Sequence, residues 1–185
     1  MNQYNTVIFK YIELLIHIMK KRILNVFLEL IKNSKKSDRD IAKKLKISQP
    51  TVTRIRKKLE NLGYISEYTV IPNFPKLGFE IAAFIFFNVE RYNNTEDKKL
   101  KLRSHEWINK HPNIIFAADG DGIHGKNSML VTLHRNFTEY NNFVNEFKKM
   151  WGSNIKELET FLVSLASQTP KHISFRSIEN LVKPD

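Results

Sequence analysis

The chain has 185 residues, 42% of them hydrophobic and 26% charged, enough for one domain or two small ones and too apolar for a disordered protein. With no cysteine it excludes a disulfide scaffold, thiolate zinc sites, iron–sulfur clusters and a cysteine nucleophile. The formal charge of +11 is uneven: residues 1–66 hold fifteen basic and five acidic side chains, the remainder fifteen and fourteen, so +10 sits in the first third. Clustered Lys and Arg gain free energy by displacing counterions from phosphates, which points that third toward a polyanion; a solvated, Lys-rich surface is the competing reading.

Val7 to Ile18 is apolar but short, and it is broken by Lys10, Glu13 and His17. Spanning a bilayer takes about 20 apolar residues, and the stretch lacks the basic leader and small-residue cleavage site of a signal peptide. Ile8, Ile12, Leu15 and Met19 recur at helical spacing. Residues 1–20 therefore read either as a helix packed on the body or a second subunit, or as a stretch ahead of a natural start at Met19.

From Lys21 to Asn33, Ile23, Leu24, Phe27, Leu28 and Ile31 form one stripe of an amphipathic helix. Ser37-Asp38-Arg39-Asp40 has the form of a capping box ahead of a short second helix, Ile41 to Leu45, closed by Ile47. Ser48 stands as N-cap of a third helix with Pro50 in its first turn. Val52, Ile55, Leu59 and Leu62 share one face of that helix, and Gly63 supplies the stop. Two short helices joined by a tight turn let the second lie in a major groove while the first braces it across the backbone.

The face opposite that core carries Gln49, Thr51, Thr53, Arg54, Arg56, Lys57 and Lys58. Amides and hydroxyls near its start suit base edges, and cations toward its end suit phosphates. With Ser37, Arg39, Ser48 and Pro50 at the helix starts, these form the candidate DNA-binding set of a helix-turn-helix running from Asp40 to Leu59. Tyr64 to Val70 alternates as a strand does, the expected wing. A plain three-helix bundle with a basic face is the alternative.

The stretch SDRDIAKKLKISQPTVTRIRKKLENLGYI followed by YTVIPNFPKLGFE, within Ile23–Gly78, resembles the leucine-responsive/asparagine-operon (Lrp/AsnC) regulators of archaeal type. The resemblance is close over the helix-turn-helix, wing and linker and extends to the C-terminal half by pattern. One departure is local: such proteins usually place an aliphatic residue where Arg56 stands and a basic one where Ile55 stands.

Pro72 and Pro75 punctuate a linker over residues 71–78. Phe79 to Val89 is apolar on both alternating faces, Ile81, Ala83, Ile85 and Phe87 on one and Ala82, Phe84 and Phe86 on the other, so both need cover. Thr95 to His111 reads as a helix carrying Leu100, Trp107 and Ile108, and strands follow at Ile114–Ala118 and Ser128–His134. Tyr140, Phe143, Val144, Phe147 and Met150 mark an amphipathic helix stopped by Gly152, and Glu159 to Leu165 supplies a last strand.

That order is the ferredoxin-like split unit, whose two helices cover one sheet face. The expected fold class is α+β: an N-terminal winged helix-turn-helix over residues 21–70, then a ferredoxin-like βαββαβ domain over 79–167 and a tail over 168–185. Two covers compete for the second sheet face. One is another subunit, sheet against sheet, in keeping with the dimerisation and ligand-sensing domain that the resemblance implies. The other is the tail, through Ile173, Phe175, Ile178 and Leu181.

Gly120 to Gly125 matches G-x-G-x-x-G, and Gly120 to Lys126 matches the start of a P-loop. Both motifs require the loop to open a helix, whose N-terminus binds phosphate. Here the loop enters the strand pattern Ser128–Leu133, and Asn127 stands where a P-loop needs Ser or Thr, so the segment reads as a strand-to-strand turn. In Lrp/AsnC proteins the equivalent turn lies at a subunit interface and contacts an amino-acid effector. The resemblance thus offers Asp119, Gly120, Asp121, Gly122 and Gly125 as effector contacts, with Gly125 where the family pattern has aspartate. His105, His111, His124, His134 and His172 lack metal-ligand spacing, and no cofactor or metal is expected.

The leading expectation is a dimeric, sequence-specific transcriptional regulator, not an enzyme, cytoplasmic and nucleoid-associated. Its partners are double-stranded DNA, itself (as a homodimer or higher even oligomer) and an amino-acid-like effector, with no membrane. Two alternatives stand beside it. Siroheme decarboxylases resemble Lrp-like proteins in both domains and use second-domain histidines; His124 to Met129 is loosely similar to theirs. An architectural chromatin protein would bind DNA with little sequence preference.

Overall fold

The computed structural model describes residues 21–89, 94–167 and 173–182, so the helix expected within residues 1–20 lies outside the described residues. These residues form two compact units. One holds the residues up to Ile71 together with 173–182, and the other runs from Pro72 through residue 167.

In the first unit α1 (Lys21–Lys32), α2 (Asp38–Leu45) and α3 (Gln49–Asn61) close around one core. Val26, Ile41, Val52 and Leu59 are fully buried there. The buried set of α1 is broader than the expected stripe: Leu24, Val26, Leu28 and Leu30 are inside, with Ile23, Phe27 and Ile31 packed beside them. The far end of the chain adds to this core. The tail segment Arg176–Val182, which ends in α6 (Glu179–Val182), packs against α1; Val182 joins its core and Glu179 pairs with Lys32 at 2.5 Å. The described part of the tail thus belongs to the helical unit and not to the sheet.

Local chemistry sets the helix ends. Ser37 caps α2, its Oγ accepting the Asp40 N–H and donating to Asp40 Oδ2 at 2.6 Å. Lys46 turns the chain at φ 53°, a left-handed cap whose N–H returns to α2. Ser48 caps α3 through the Thr51 N–H, and Pro50 lies in the first turn. Gly63, at φ +73°, ends it. Residues 65–70 then continue without joining a strand, against the expected alternation: the sheet of the described residues consists of four strands of the second unit, and the segment has no ladder partner.

The second unit runs β1 (Ile81–Val89), α4 (Asn94–Lys110), β2 (Ile114–Asp119), β3 (Ser128–His134), α5 (Phe137–Trp151) and β4 (Ile155–Ser164). The strands form an antiparallel sheet in the order β2-β3-β1-β4, the ferredoxin-like arrangement. Ala83, Ile85 and Phe87 of β1 and Leu130 of β3 face α4 and α5, packing with Trp107, Tyr140, Phe143, Phe147 and Trp151. On the opposite face Phe84 lies between Val131 and Phe161, and Phe116 beside Val131. Phe116 and Phe161 are 52% and 65% exposed, so that face is apolar and open within the unit.

β4 begins four residues earlier than its apolar pattern indicated. The extra pairs, Asn88 with Lys156 and Val89 with Ile155, lie beyond a bulge where Glu157 adopts φ 55°. A bulge breaks the alternation by which a strand is recognised.

Candidate nucleic-acid interface

The sequence-derived residues of α2 and α3 separate into three groups once their partners are known. Ser37 and Ser48 are caps; Ser48 Oγ also lies 2.7 Å from Thr51 Oγ1, and Thr51 is half-buried. Their hydroxyls are occupied in starting the helices.

Thr53 and Arg56 form the second group. Thr53 Oγ1 donates to Asp38 Oδ2 at 2.6 Å, and Arg56 grips Asp38 Oδ1 through Nε at 2.8 Å and Nη2 at 2.7 Å. Arg56 also donates to the Lys36 carbonyl at 3.3 Å and lies 5.8 Å above the Tyr68 ring. Tyr68 in turn donates to Glu60 at 2.8 Å. Burial would raise the Asp38 pKa, but the hydrogen bonds from Thr53 and Arg56 prevail and hold it below the ordinary carboxylate value. Arg56 is therefore a clamp joining α3 to the start of α2 and to the segment after it, a different use from the phosphate contact expected of it.

The third group faces outward. Gln49, Pro50, Arg54, Lys57 and Lys58 are exposed, and the three cations form no ion pair among the described residues. Gln49, Pro50, Thr53, Arg54 and Lys57 line one shallow concavity along the helix. Arg39 is exposed on α2. Cations spaced along one face of a helix, with an amide at its N-terminal end, can meet a phosphate backbone and a base edge together.

Glu29 was not singled out by the sequence reading. Its side chain is only 4% exposed and accepts from Lys36 at 2.6 Å, Lys44 at 2.8 Å and Lys32 at 3.1 Å. Desolvation pushes its pKa up, yet hydrogen bonds from Lys36, Lys44 and Lys32 outweigh it and lower it to about 2. Three lysines of the basic third are thereby drawn onto a buried carboxylate. The available signal was a lone glutamate in the otherwise apolar stretch Val26–Ile31.

In the second unit the glycine segment is a turn between β2 and β3, with a short 3-10 turn at Ile123–Gly125 and no helix after it. Gly120 N–H donates to Asn127 O and Gly122 N–H to Lys126 O, so these donors are engaged within the loop. A Cβ on Gly122 would lie 3.1 Å from Lys126 O; close packing, rather than phosphate, requires glycine there. Asp119 Oδ1 accepts from Ser128 at 3.1 Å, while Asp121 and Gly125 are exposed. Lys126, also unforeseen, is 2% exposed and pairs with Glu157 at 2.9 Å and Glu159 at 3.1 Å. Among the described residues no three His, Asp or Glu side chains gather as a metal site, and no helix is long and apolar enough to cross a membrane.

This combination, a capped helix-turn-helix with an outward cationic helix and a separate βαββαβ unit, defines a two-domain helix-turn-helix protein. Residues 19–66 match the family model described as winged helix-turn-helix DNA-binding. An uncharacterised HTH-type transcriptional regulator of Pyrococcus furiosus is 32% identical over 103 residues, 56% of this chain and 64% of that protein. The regulator LrpC of Bacillus subtilis is 33% identical over 94 residues, 51% of this chain and 60% of LrpC. These matches span less than two thirds of either relative. The LrpC structure superposes with a TM-score of 0.64 at 24% identity, covering 83% of this chain and 99% of LrpC. A Neisseria meningitidis regulator solved with L-Met superposes at 0.69 and 15% identity, covering 83% of this chain and 93% of that one. The chain is thus similar in sequence to HTH-type regulators and shares the two-domain fold of the solved LrpC structure.

Proposed function

We propose that the protein is a dimeric transcriptional regulator, nucleoid-associated in the cytoplasm, that reads double-stranded DNA with α3 and works by binding rather than by catalysis. The observation that carries this is the division of labour on α3: Thr53 and Arg56 lock the helix to Asp38, leaving Gln49, Arg54, Lys57 and Lys58 exposed. Arg39 and the N-terminal turn of α3 at Ser48–Thr51 complete the proposed contact surface. The open apolar sheet face supports a second copy packed sheet against sheet. Two reading helices in such a dimer grip half-sites about 34 Å apart or a multiple of it.

For the effector, the class named in the Neisseria complex, an amino acid, is carried to this chain as part of the proposal. Its place is the turn at Asp119, Gly120, Asp121, Gly122 and Gly125, where the exposed Asp121 side chain is available to a ligand.

Fluorescence anisotropy with DNA from upstream of its own gene tests the reading. Arg54→Ala with Lys57→Ala should weaken binding and flatten the slope of log affinity against log salt by about 1.8, since each phosphate contact contributes about 0.9. An unchanged slope overturns the assignment of α3. Specific binding should exceed that for random DNA by about a thousandfold, and equal affinities would mark an architectural protein instead.

A further inference from the structure

In a helix-turn-helix the N-terminal residues of the reading helix are the ones that meet base edges. At the start of α3 most of the side chains there are already committed. Pro50 has no polar group to offer. Ser48 Oγ and Thr51 Oγ1 lie 2.7 Å apart in the cap, and Thr51 is half-buried. Thr53, half-buried as well, gives its proton to Asp38 Oδ2 at 2.6 Å. The hydroxyls are thus engaged in holding the helix. Gln49 differs: it is exposed, and its side-chain amide makes no hydrogen bond among the described residues.

The bond that withdraws Thr53 from the surface also seats the backbone of Gln49. Thr53 Oγ1 lies 3.2 Å from the Gln49 carbonyl, so Asp38, Thr53 and Gln49 form one chain of contacts from the start of α2 to the start of α3. Ser48 caps the helix on one side of Gln49, and Pro50, with its fixed φ, follows on the other. A side chain on so fixed a base is held ready for one partner. Its amide presents a carbonyl acceptor beside an NH2 donor. In the major groove adenine shows the complement, the N7 acceptor beside the N6–H2 donor; guanine shows two acceptors and cytosine a donor alone. Arg54, Lys57 and Lys58 stand more than one turn further along the helix, and in the proposed complex they meet phosphates, which carry no sequence.

We propose that Gln49 is the specificity-determining residue of α3: its amide reads one adenine in the major groove of each half-site, the carbonyl accepting from N6–H2 and the NH2 donating to N7. The assignment rests on α3 being the helix that contacts DNA, and it deepens that reading to one residue and one base.

Selection of binding sites from a randomised duplex library by the full-length protein tests this. The parent should enrich half-sites with adenine fixed at one position. Gln49→Ala should lose the preference at that position alone and weaken binding to the parent's site about tenfold. It should keep the slope of log affinity against log salt, since no phosphate contact is removed. Gln49→Glu can only accept, so it should exchange adenine at that position for cytosine, whose N4–H2 donates. Gln49 is exposed, so neither variant should melt appreciably below the parent, which separates a lost contact from a lost fold. The assignment is overturned if either variant selects the parent's sites unchanged, if the position that responds holds a base other than adenine, or if preference is blurred at every position. Failure of the wider reading looks different. A parent that enriches no sequence overturns specific binding and this assignment with it, whereas a sharp consensus that ignores Gln49 overturns this assignment alone.

Discussion

Arg56 and Arg54 stand two positions apart on one helix and do unlike things. Arg56 has its guanidinium on Asp38, with both side chains less than 20% exposed; Arg54 is exposed and without an ion pair among the described residues. Removing one partner of a half-buried charge pair leaves the other uncompensated. Arg56→Ala should therefore lower stability by about 2 kcal/mol in urea unfolding, whereas Arg54→Ala should stay within about 0.5 kcal/mol and show its effect only on DNA binding. Glu29 gives a matching expectation in pH. Its carboxyl ionises near 2 in the folded chain and near 4.5 when unfolded, so its stabilisation, about 3 kcal/mol, is complete above pH 4.5 and is lost as pH falls from there toward 2. Glu29→Gln should flatten the urea midpoint over that window; a profile as steep as the parent's would show that the lysine cage does not stabilise the fold. The clamp leaves no local trace in sequence. Arg56 and Asp38 are 18 positions apart, and a clamp and a phosphate contact call for the same residue type.

At the scale of elements the turn of the helix-turn-helix carries a testable strain. Lys46 occupies the left-handed region, which costs a side-chain-bearing residue about 1 kcal/mol relative to glycine. Lys46→Gly should raise stability by about 0.5–1 kcal/mol in thermal or urea unfolding, and a loss would mean that the lysine side chain contributes more than its backbone costs. Elements whose signal lies in neighbouring residues were legible in the sequence. β3 is found at Ser128–His134 as its alternation predicts, and α5 ends at Gly152 as expected. The misses have physical causes. The segment after α3 alternates but has no strand to pair with, and the start of β4 is hidden behind a bulge.

The molecule as a whole pairs a basic helical unit with a nearly neutral sheet unit, and the open sheet face carries the proposed assembly. Phe161 is 65% exposed, so Phe161→Glu spares the protomer's own core while placing a charge in an apolar interface. Sedimentation equilibrium should give twice the chain mass for the parent and a shift toward the single chain for the variant. A parent that sediments as one chain would remove the dimer and, with it, the paired half-sites. The tail belongs to this scale as well: the sheet and α1 both offered it apolar surface, and the segment ending at Val182 packs on α1.

By itself the sequence determined the order and type of most elements, the caps at Ser37 and Ser48, and the outward placement of Gln49, Arg54 and Lys57. Each of these is carried by periodicity or by neighbours a few residues apart. Tertiary structure alone decided which cations hold the fold together: Lys32, Lys36 and Lys44 around Glu29, Arg56 on Asp38, and Lys126 between Glu157 and Glu159. Ion pairs depend on how distant segments meet in space, such as Lys126 and Glu157 at 31 positions apart, and no period along the chain encodes that meeting.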